Sequence, residues 1–296
     1  MHISRPAVAT FALLCPLIGR LATASPNPPA INVSVAARSL QPGELIVLTM
    51  TVGAEPADVS VGVFGKDVPA FKLADGVWRA LVGIDVNQKA GTYTATIKAR
   101  TPATTLRKVE PLIVRPRTFP TRTLRVDPDF VNPPASELAR IENDAAFVRE
   151  QLAHVTAERF WLAPFVRPVP DEANSRFGTR SIFNGEVRSP HSGTDFLSGT
   201  GTPVKAPNAG RVRAARELYY TGNTVILDHG LGVLSTLAHL SRVDVREGDV
   251  VSAGQIVGLV GATGRVTGPH LHWAFSVSGA RIDPLSVLAL LGEGAH

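Results

Sequence analysis

The segment Gly261-Ala-Thr-Gly-Arg-Val-Thr-Gly-Pro-His-Leu-His272 places three glycines and a proline directly before two histidines that are one residue apart. Turn-forming residues followed by an alternating run predict a loop that leads into a β-strand. Because side chains two residues apart on a strand face the same side, His270 and His272 are predicted to point into one site. A phosphate-binding loop is not predicted, since its Lys-Ser/Thr ending is absent and no helical pattern follows.

The sequence around this segment, from residue 160 to residue 296, consists of short apolar runs broken by glycine. Examples are Asn223-Thr-Val-Ile-Leu-Asp228 and Gln255-Ile-Val-Gly-Leu-Val260. Runs of this length with turn residues between them predict strands. We expect an antiparallel, mostly β domain over residues 160–296 with six to nine strands and almost no long helix.

The N-terminal part of the chain predicts a second β domain, over residues 25–115. Alternating runs such as Ile31-Asn-Val-Ser-Val35 are separated by turn signals such as Asp75-Gly76, at the spacing of an immunoglobulin-like β-sandwich. Residues 116–159 are predicted to form an extended, proline-rich linker and then a helix that begins at Pro134 with Ser136 as its N-cap. The apolar stripe expected to pack this helix comprises Leu138, Ile141, Ala145, Val148, Leu152 and Val155.

The first 24 residues predict a secretory signal peptide. Arg5 precedes an apolar run of about 14 residues, and Ala22-Thr23-Ala24 is a small-x-small cleavage site. The run is shorter than the roughly 20 residues of a membrane span, with retention as an uncleaved anchor as the alternative. We therefore expect an exported protein of the periplasm or cell envelope without a stable membrane span.

Cysteine content and charge exclude several classes of function. The only cysteine, Cys15, lies within the predicted signal, so disulfides, thiolate metal sites and a cysteine nucleophile are not expected in the mature chain. The net charge of +5 is small and comes from scattered basic residues, which does not predict nucleic-acid binding.

Four of the eight histidines lie in settings that suggest chemistry, together with one aspartate. His191 and Asp195 flank Ser-Gly-Thr, where Pro190 and Gly193 disfavour a helix and favour a loop leading into a strand. Two imidazoles and a carboxylate are a common ligand set for catalytic zinc, which leaves two histidines for proton transfer. Each element alone is also compatible with an ordinary strand face or a buried histidine, the reading adopted for His154, His229 and His296.

Taken together and in this order, the motifs of residues 175–290 resemble the lysostaphin-type, LytM-like zinc metallopeptidases, which cut peptide bonds in bacterial peptidoglycan. The motifs that carry the resemblance are Phe177-Gly-Thr-Arg180, Phe183-Asn-Gly185, His191-Ser-Gly-Thr-Asp195, Gly201-Thr-Pro-Val204, Asn223-Thr-Val-Ile-Leu-Asp-His-Gly230, His239-Leu-Ser241, Gly248-Asp249, Gly254-Gln255, Thr263-Gly264 and Gly268-Pro-His-Leu-His272.

The resemblance implies roles for five residues of the site. His191, Asp195 and His272 would bind zinc, which polarises the scissile carbonyl and activates water. His239 would be the general base, and His270 would hydrogen-bond the developing oxyanion or the water.

Four further positions are read from the same resemblance. Arg180 and Asn184 match polar motif positions and would bind substrate, with a structural role as the alternative. Leu237 stands where many relatives have a tyrosine, a change expected to alter the shape of the groove more than the chemistry. Asp283, before Pro284, matches a motif expected to be structural.

The function implied is a zinc-dependent endopeptidase that acts on peptidoglycan stem peptides and hydrolyses D-alanyl–diaminopimelate cross-links in preference to pentaglycine bridges. The alternative is a non-enzymatic regulator or wall-binding module, because some members of the family have lost ligands and activate other wall hydrolases. A third hypothesis is that the N-terminal sandwich or the helix at 136–155 covers the groove and keeps the enzyme latent.

Overall fold

The structure is a computed structural model that describes residues 30–53, 55–125 and 131–294. The predicted signal segment 1–24 lies outside these ranges. Within them, no helix is both long and apolar enough to cross a membrane.

Seven strands form the N-terminal sheet, in the hydrogen-bonded order β1-β2-β5-β4-β3-β6-β7. Their bounds are β1 Ile31–Ala37, β2 Leu45–Val52, β3 Asp58–Val63, β4 Lys66–Ala74, β5 Val77–Gly83, β6 Gly91–Arg100 and β7 Thr105–Val114.

This sheet folds over on itself into a sandwich whose two halves are β1-β2-β5-β4 and β3-β6-β7, joined by the pairing of β3 with β4. That is the strand order of a constant-type immunoglobulin domain. Inward-facing residues of both halves meet in one core, including Leu48, Val82, Val61, Ile97 and Leu112. The predicted immunoglobulin-like β-sandwich is therefore confirmed.

The C-terminal part of the chain is built on a ten-stranded sheet whose main path is β17-β14-β15-β16-β19-β12-β9, and a small side sheet has the order β11-β10-β8. The bounds of these strands are β8 Thr121–Leu124, β9 Ala173–Ser175, β10 Arg180–Phe183, β11 Glu186–Val187, β12 Gly193–Phe196, β13 Pro203–Lys205, β14 Gly210–Leu218, β15 Gly222–Gly230, β16 Val233–Val243, β17 Val250–Val251, β18 Ile256–Val260, β19 Leu271–Val277 and β20 Ala280–Ile282.

The number of strands after residue 160 was underestimated. The structure places twelve there among the described residues, β9 to β20, because several are only two to four residues long and leave no visible alternation in the sequence. The absence of a long helix in this part is confirmed for the described residues, since its α-helix, α2, is the eight-residue segment Pro284–Leu291.

The linker prediction needs two corrections. Residues 116–124 were predicted to be an extended linker, but the end of this segment, β8, is a strand. It pairs in parallel with β10 and is the third strand of the side sheet. Ser136 is not a helix N-cap: it lies within a 3₁₀ turn, Ala135–Glu137, and the α-helix that follows, α1 Leu138–Ala153, begins after Glu137 without a side-chain cap.

The buried face of α1 differs from the predicted stripe. Leu138, Ala145 and Val155 are exposed, whereas the polar Asp144 and Gln151 face the protein beside Phe147. The Asp144 carboxylate accepts a hydrogen bond from the backbone N–H of Tyr219, which orients the helix through polar contacts that hydrophobic periodicity does not report.

The two β units share a hydrophobic interface. Leu45, Val47 and Leu81 of the sandwich are part of the core of the C-terminal sheet. Ion pairs lie beside this contact. Arg38 donates hydrogen bonds to the buried carboxylates of Glu44 and Asp283, and Arg281 donates to Asp85. Asp283 is also the N-cap of α2. The boundaries predicted at residues 25–115, 116–159 and 160–296 remain predictions.

Candidate metal centre and active site

Two neighbouring antiparallel strands position the centre of the site. Asp195 on β12 lies directly opposite His272 on β19, so the pairing of the two strands brings a carboxylate and an imidazole together. His191 lies in the loop before β12, and its backbone exchanges hydrogen bonds with Gly178 and Thr179. Side chains 81 positions apart in the sequence, those of His191 and His272, thereby come into direct contact.

One atom from each of these residues points to a common place. His191 Nε2 lies 3.0 Å from Asp195 Oδ1, and His272 Nδ1 lies 2.8 Å from the same oxygen. The two ring nitrogens are 3.0 Å apart. The three side chains therefore form a compact triangle of nitrogen and oxygen atoms, and it is the one group in the described residues that meets the geometric conditions for a metal site.

The charge state of the triangle suits a cation. Burial alone would raise the pKa of Asp195, but its hydrogen bonds to His191 and His272 outweigh burial and hold the pKa well below its usual value. Burial lowers the pKa of His272, against the effect of its hydrogen bond to Asp195. The site thus presents an ionised carboxylate and a histidine that favours its neutral, metal-binding form.

The three residues fit a zinc ion by the chemistry of their donors. The ring nitrogen Nδ1 of His191 lies 3.3 Å from the carbonyl oxygen of Arg176, which can only accept a hydrogen bond. With a metal ion bound, Nδ1 would keep the proton and Nε2, which otherwise donates to Asp195, would offer its lone pair. Two histidines and one carboxylate leave a fourth coordination position open for water or substrate, as in catalytic zinc sites.

Gly193 gives the ring of His272 the space that it occupies. A Cβ at this position would lie 2.5 Å from the carbonyl oxygen of Trp273 and 2.7 Å from Cε1 of His272. Any side chain here would push the ligand strand or its histidine aside.

A β-bulge carries His239 towards the triangle. The pairing of β16 with β15 shifts between Asn223 and Val225, and His239 has a left-handed backbone with φ 62°. Such a conformation is uncommon for residues other than glycine, and a bulge changes the direction in which the side chain at its position points. The His239 Nδ1–H donates to the carbonyl of Thr263 at 3.0 Å, which leaves Nε2 unprotonated in the neutral ring. Burial, with a smaller contribution from nearby His272, lowers the pKa of His239 to about 4.

His270 stands next to His239 and on the same side of the chain as His272. The rings of His239 and His270 have centroids 4.7 Å apart, and Nε2 of His270 lies 4.0 Å from Asp195 Oδ1. Its Nδ1–H donates to the carbonyl of Gly268 at 2.9 Å. The structure therefore brings together all five residues that were predicted to form the metal and catalytic site.

Arg180 and Asn184 lie in the side sheet and its turn, outside this cluster of five residues. Arg180 begins β10 of the side sheet and is exposed, one residue after Thr179, whose carbonyl accepts the backbone N–H of His191. Asn184 is exposed in the turn between β10 and β11, with φ 52°. Their role in substrate binding stays a prediction.

Sequence reasoning missed the groups that orient the histidines. These are backbone carbonyls of Arg176, Thr263 and Gly268, and main-chain atoms leave no mark in residue types. The glycine-rich loop was the available signal in the sequence, because it contains Thr263 and Gly268, two of the three residues whose carbonyls orient the histidines. Leu237 is fully buried and pairs with Trp273 across the core side of the sheet, so it belongs to the packing of the sheet.

Comparison with known proteins agrees with this geometry. Residues 189–284 match the sequence model of Peptidase family M23. A crystal structure of a putative peptidase M23 from Pseudomonas aeruginosa is 30% identical, has a TM-score of 0.67, and matches over 85% of this chain and 96% of that chain.

Two curated relatives match over a shorter part. Peptidoglycan DD-endopeptidase ShyA of Vibrio cholerae is 44% identical over 113 residues, 38% of this chain and 26% of that protein. Lysostaphin of Staphylococcus staphylolyticus is 43% identical over 111 residues, 35% of this chain and 23% of that protein. The match thus spans about a quarter of the length of each. Together with the nearly full-length likeness to the Pseudomonas aeruginosa structure, these matches show that the chain belongs to Peptidase family M23.

Proposed function

We propose that this protein is an exported, zinc-dependent peptidoglycan endopeptidase that hydrolyses D-alanyl–diaminopimelate cross-links. The observation that carries the proposal is the convergence of His191, Asp195 and His272 beside two further histidines whose Nδ1–H groups are both held by backbone carbonyls. The choice of substrate is supported by the name of the relative ShyA, a peptidoglycan DD-endopeptidase.

His191 Nε2, Asp195 Oδ1 and His272 Nδ1 would hold the zinc ion. When bound there, zinc supplies Lewis-acid polarisation of the scissile carbonyl and lowers the pKa of water. The carboxylate of Asp195 balances part of the charge, and Arg176 holds the ring of His191 in the ligand orientation through its carbonyl.

His239 is the proposed general base. Its Nδ1–H is bound to Thr263, so the ring has one orientation and its free Nε2 can take a proton from the attacking water. The lowered pKa keeps this ring neutral, and therefore able to accept a proton, at neutral pH. The same ring can return the proton to the leaving amine.

His270 is proposed to position the water and the developing oxyanion. With Nδ1–H donated to Gly268, its Nε2 accepts a hydrogen bond from water. A ring that takes a second proton from solvent would instead donate from Nε2 and stabilise negative charge on the carbonyl oxygen.

The test is a digest of purified peptidoglycan by residues 25–296, read by mass spectrometry, with zinc and with a chelator. His239→Ala should slow release of un-cross-linked peptides by about 10²- to 10⁴-fold, the usual loss on removing a general base. His154→Ala is the matched control, because His154 is exposed at the end of α1. Absence of products from a folded, zinc-loaded protein would refute the proposal and favour a non-enzymatic regulator.

The latency hypothesis also stays a prediction, and the shared core changes how it must be tested. Removing the sandwich would expose Leu45's partners in the C-terminal core, so loss of activity in such a truncation would not report latency. Variants of the intact chain are therefore the appropriate material.

A further inference from the structure

A cavity of about 120 Å³ adjoins the metal-site residue His272, between α1 and the C-terminal sheet. Ser192, which follows His191, and Thr221, whose carbonyl accepts the backbone N–H of His239, also line it. We call this cavity the α1 pocket. It touches the proposed catalytic centre on one side and the linker helix on the other.

The roof of the α1 pocket is formed by Val148 and Leu152 and is held in place by polar contacts on both sides. The backbone N–H of Tyr219 donates to Asp144 at 2.8 Å, and an Arg213 guanidinium N–H donates to Gln151 at 2.9 Å. These bonds anchor α1 to β14 and to the hairpin turn that follows it. The pocket is therefore preformed, and the helix is part of the site rather than a spacer.

The size of the α1 pocket limits what it can receive. A cavity of about 150 Å³ is known to admit benzene, whereas pockets for drug-sized ligands measure about 300–1,000 Å³. A volume of about 120 Å³ has room for a methyl group and its neighbouring backbone atoms. The long side chain of a diaminopimelate residue would not fit.

The lining combines apolar, hydroxyl and basic groups. Ile226 and Ala274 of the sheet face the apolar roof, while Thr224, Thr236 and Ser276 contribute hydroxyls. The guanidinium of Arg281, which also lines the pocket, is paired with Asp85. The Ser276 Oγ is buried and has no hydrogen-bond partner among the described residues. An unsatisfied buried hydroxyl is unfavourable, and a ligand that offers an amide or carbonyl group beside a methyl group would satisfy it.

We propose that the α1 pocket is the specificity subsite for the methyl side chain of the alanyl residue beside the scissile bond. The proposal rests on the proposed endopeptidase function and extends it, because it assigns the choice of alanyl over glycyl substrates to α1 and β19. One methyl group in a fitted apolar pocket is worth about 10- to 200-fold in kcat/KM, which is the preference expected for an alanyl substrate.

The experiment fills the pocket from two opposite sides, with Ala274→Leu on β19 and Leu152→Phe on α1. Substrates are a cross-linked dimeric muropeptide with a D-alanyl–diaminopimelate bond and its counterpart with glycine in place of D-alanine. Each filled variant should lower kcat/KM for the alanyl substrate at least about 10-fold and change that for the glycyl substrate by less than about threefold. Leu138→Ala, on the exposed face of the same helix, should change neither, and the zinc content should stay at the wild-type level.

A parallel fall for both substrates, or no change for either, in a folded variant with full zinc content would overturn the proposal. Binding of the same two muropeptides to zinc-loaded His239→Ala, by calorimetry, separates this inference from the proposed function. If the wild type cleaves neither substrate, the proposed function fails. In that case the assignment of the α1 pocket is supported if the alanyl muropeptide binds more tightly than the glycyl one and filling the pocket removes that difference in affinity. It is refuted if the two muropeptides bind equally.

Discussion

Acid should destabilise this protein through His229, a buried residue that the mechanism does not use. Its ring is fully buried, stacks on Phe275 and meets Phe165 edge-on. Nδ1–H donates to the carbonyl of Ala209 at 2.8 Å, and Nε2 accepts from the hydroxyl of Ser235 at 2.9 Å. Burial is the main cause that lowers the pKa of His229, from 6.5 to about 4.

The magnitude follows from the difference between the folded and unfolded states. Each tenfold change in an acid constant corresponds to about 1.36 kcal/mol, so lowering the pKa from 6.5 to about 4 corresponds to about 3 kcal/mol. The stabilisation is complete above pH 6.5, where the ring is neutral in both states. It is lost as the pH falls towards 4, because only the unfolded state binds the proton in that range.

The assay is denaturant unfolding of the metal-free protein between pH 7.5 and pH 4, for wild type and His229→Asn. The asparagine amide can still donate to Ala209 but does not titrate, and His239 and His272, whose pKa values are also lowered, are common to both proteins. The wild type should lose about 3 kcal/mol more than the variant across this range. Parallel pH curves for the two proteins would refute the reasoning.

Three further predictions concern the metal centre and the domain interface. Gly193→Ala should weaken zinc binding, measured by competition with a chelating dye, because the added Cβ would overlap His272 and Trp273. The control Gly199→Ala should not weaken it, since a Cβ there meets no atom within 4 Å, and equal zinc affinities of the two variants would contradict the geometry. Arg38→Met should lower the free energy of unfolding by about 1.5–3 kcal/mol, since two buried carboxylates lose a charged hydrogen bond, whereas Arg242→Met at an exposed pair should leave unfolding unchanged. Chelation should lower the thermal midpoint, as loss of a ligand of the folded state does, and an unchanged midpoint would argue against a bound metal.

The sequence itself determined the class of fold and the family, and it predicted the five site residues that the structure brings together. Short alternating runs specify strands locally, and the side chains of His270 and His272 share one side because strand geometry has a period of two. Glycine and proline in the loop before them report turns for the same local reason. Such information is carried by neighbours in the chain, so it can be read without knowledge of the tertiary structure.

Only the tertiary structure decided how these residues come together. The pairing of Asp195 with His272, the bulge that turns His239, and the carbonyls that orient three histidines depend on strands that are distant in sequence. The same holds for β8 in the side sheet and for the polar face of α1, where hydrogen bonds to β14 and the turn after it override the apolar stripe. Local patterns specify elements, but long-range hydrogen bonding and packing select their partners, and that selection forms the metal site and the α1 pocket.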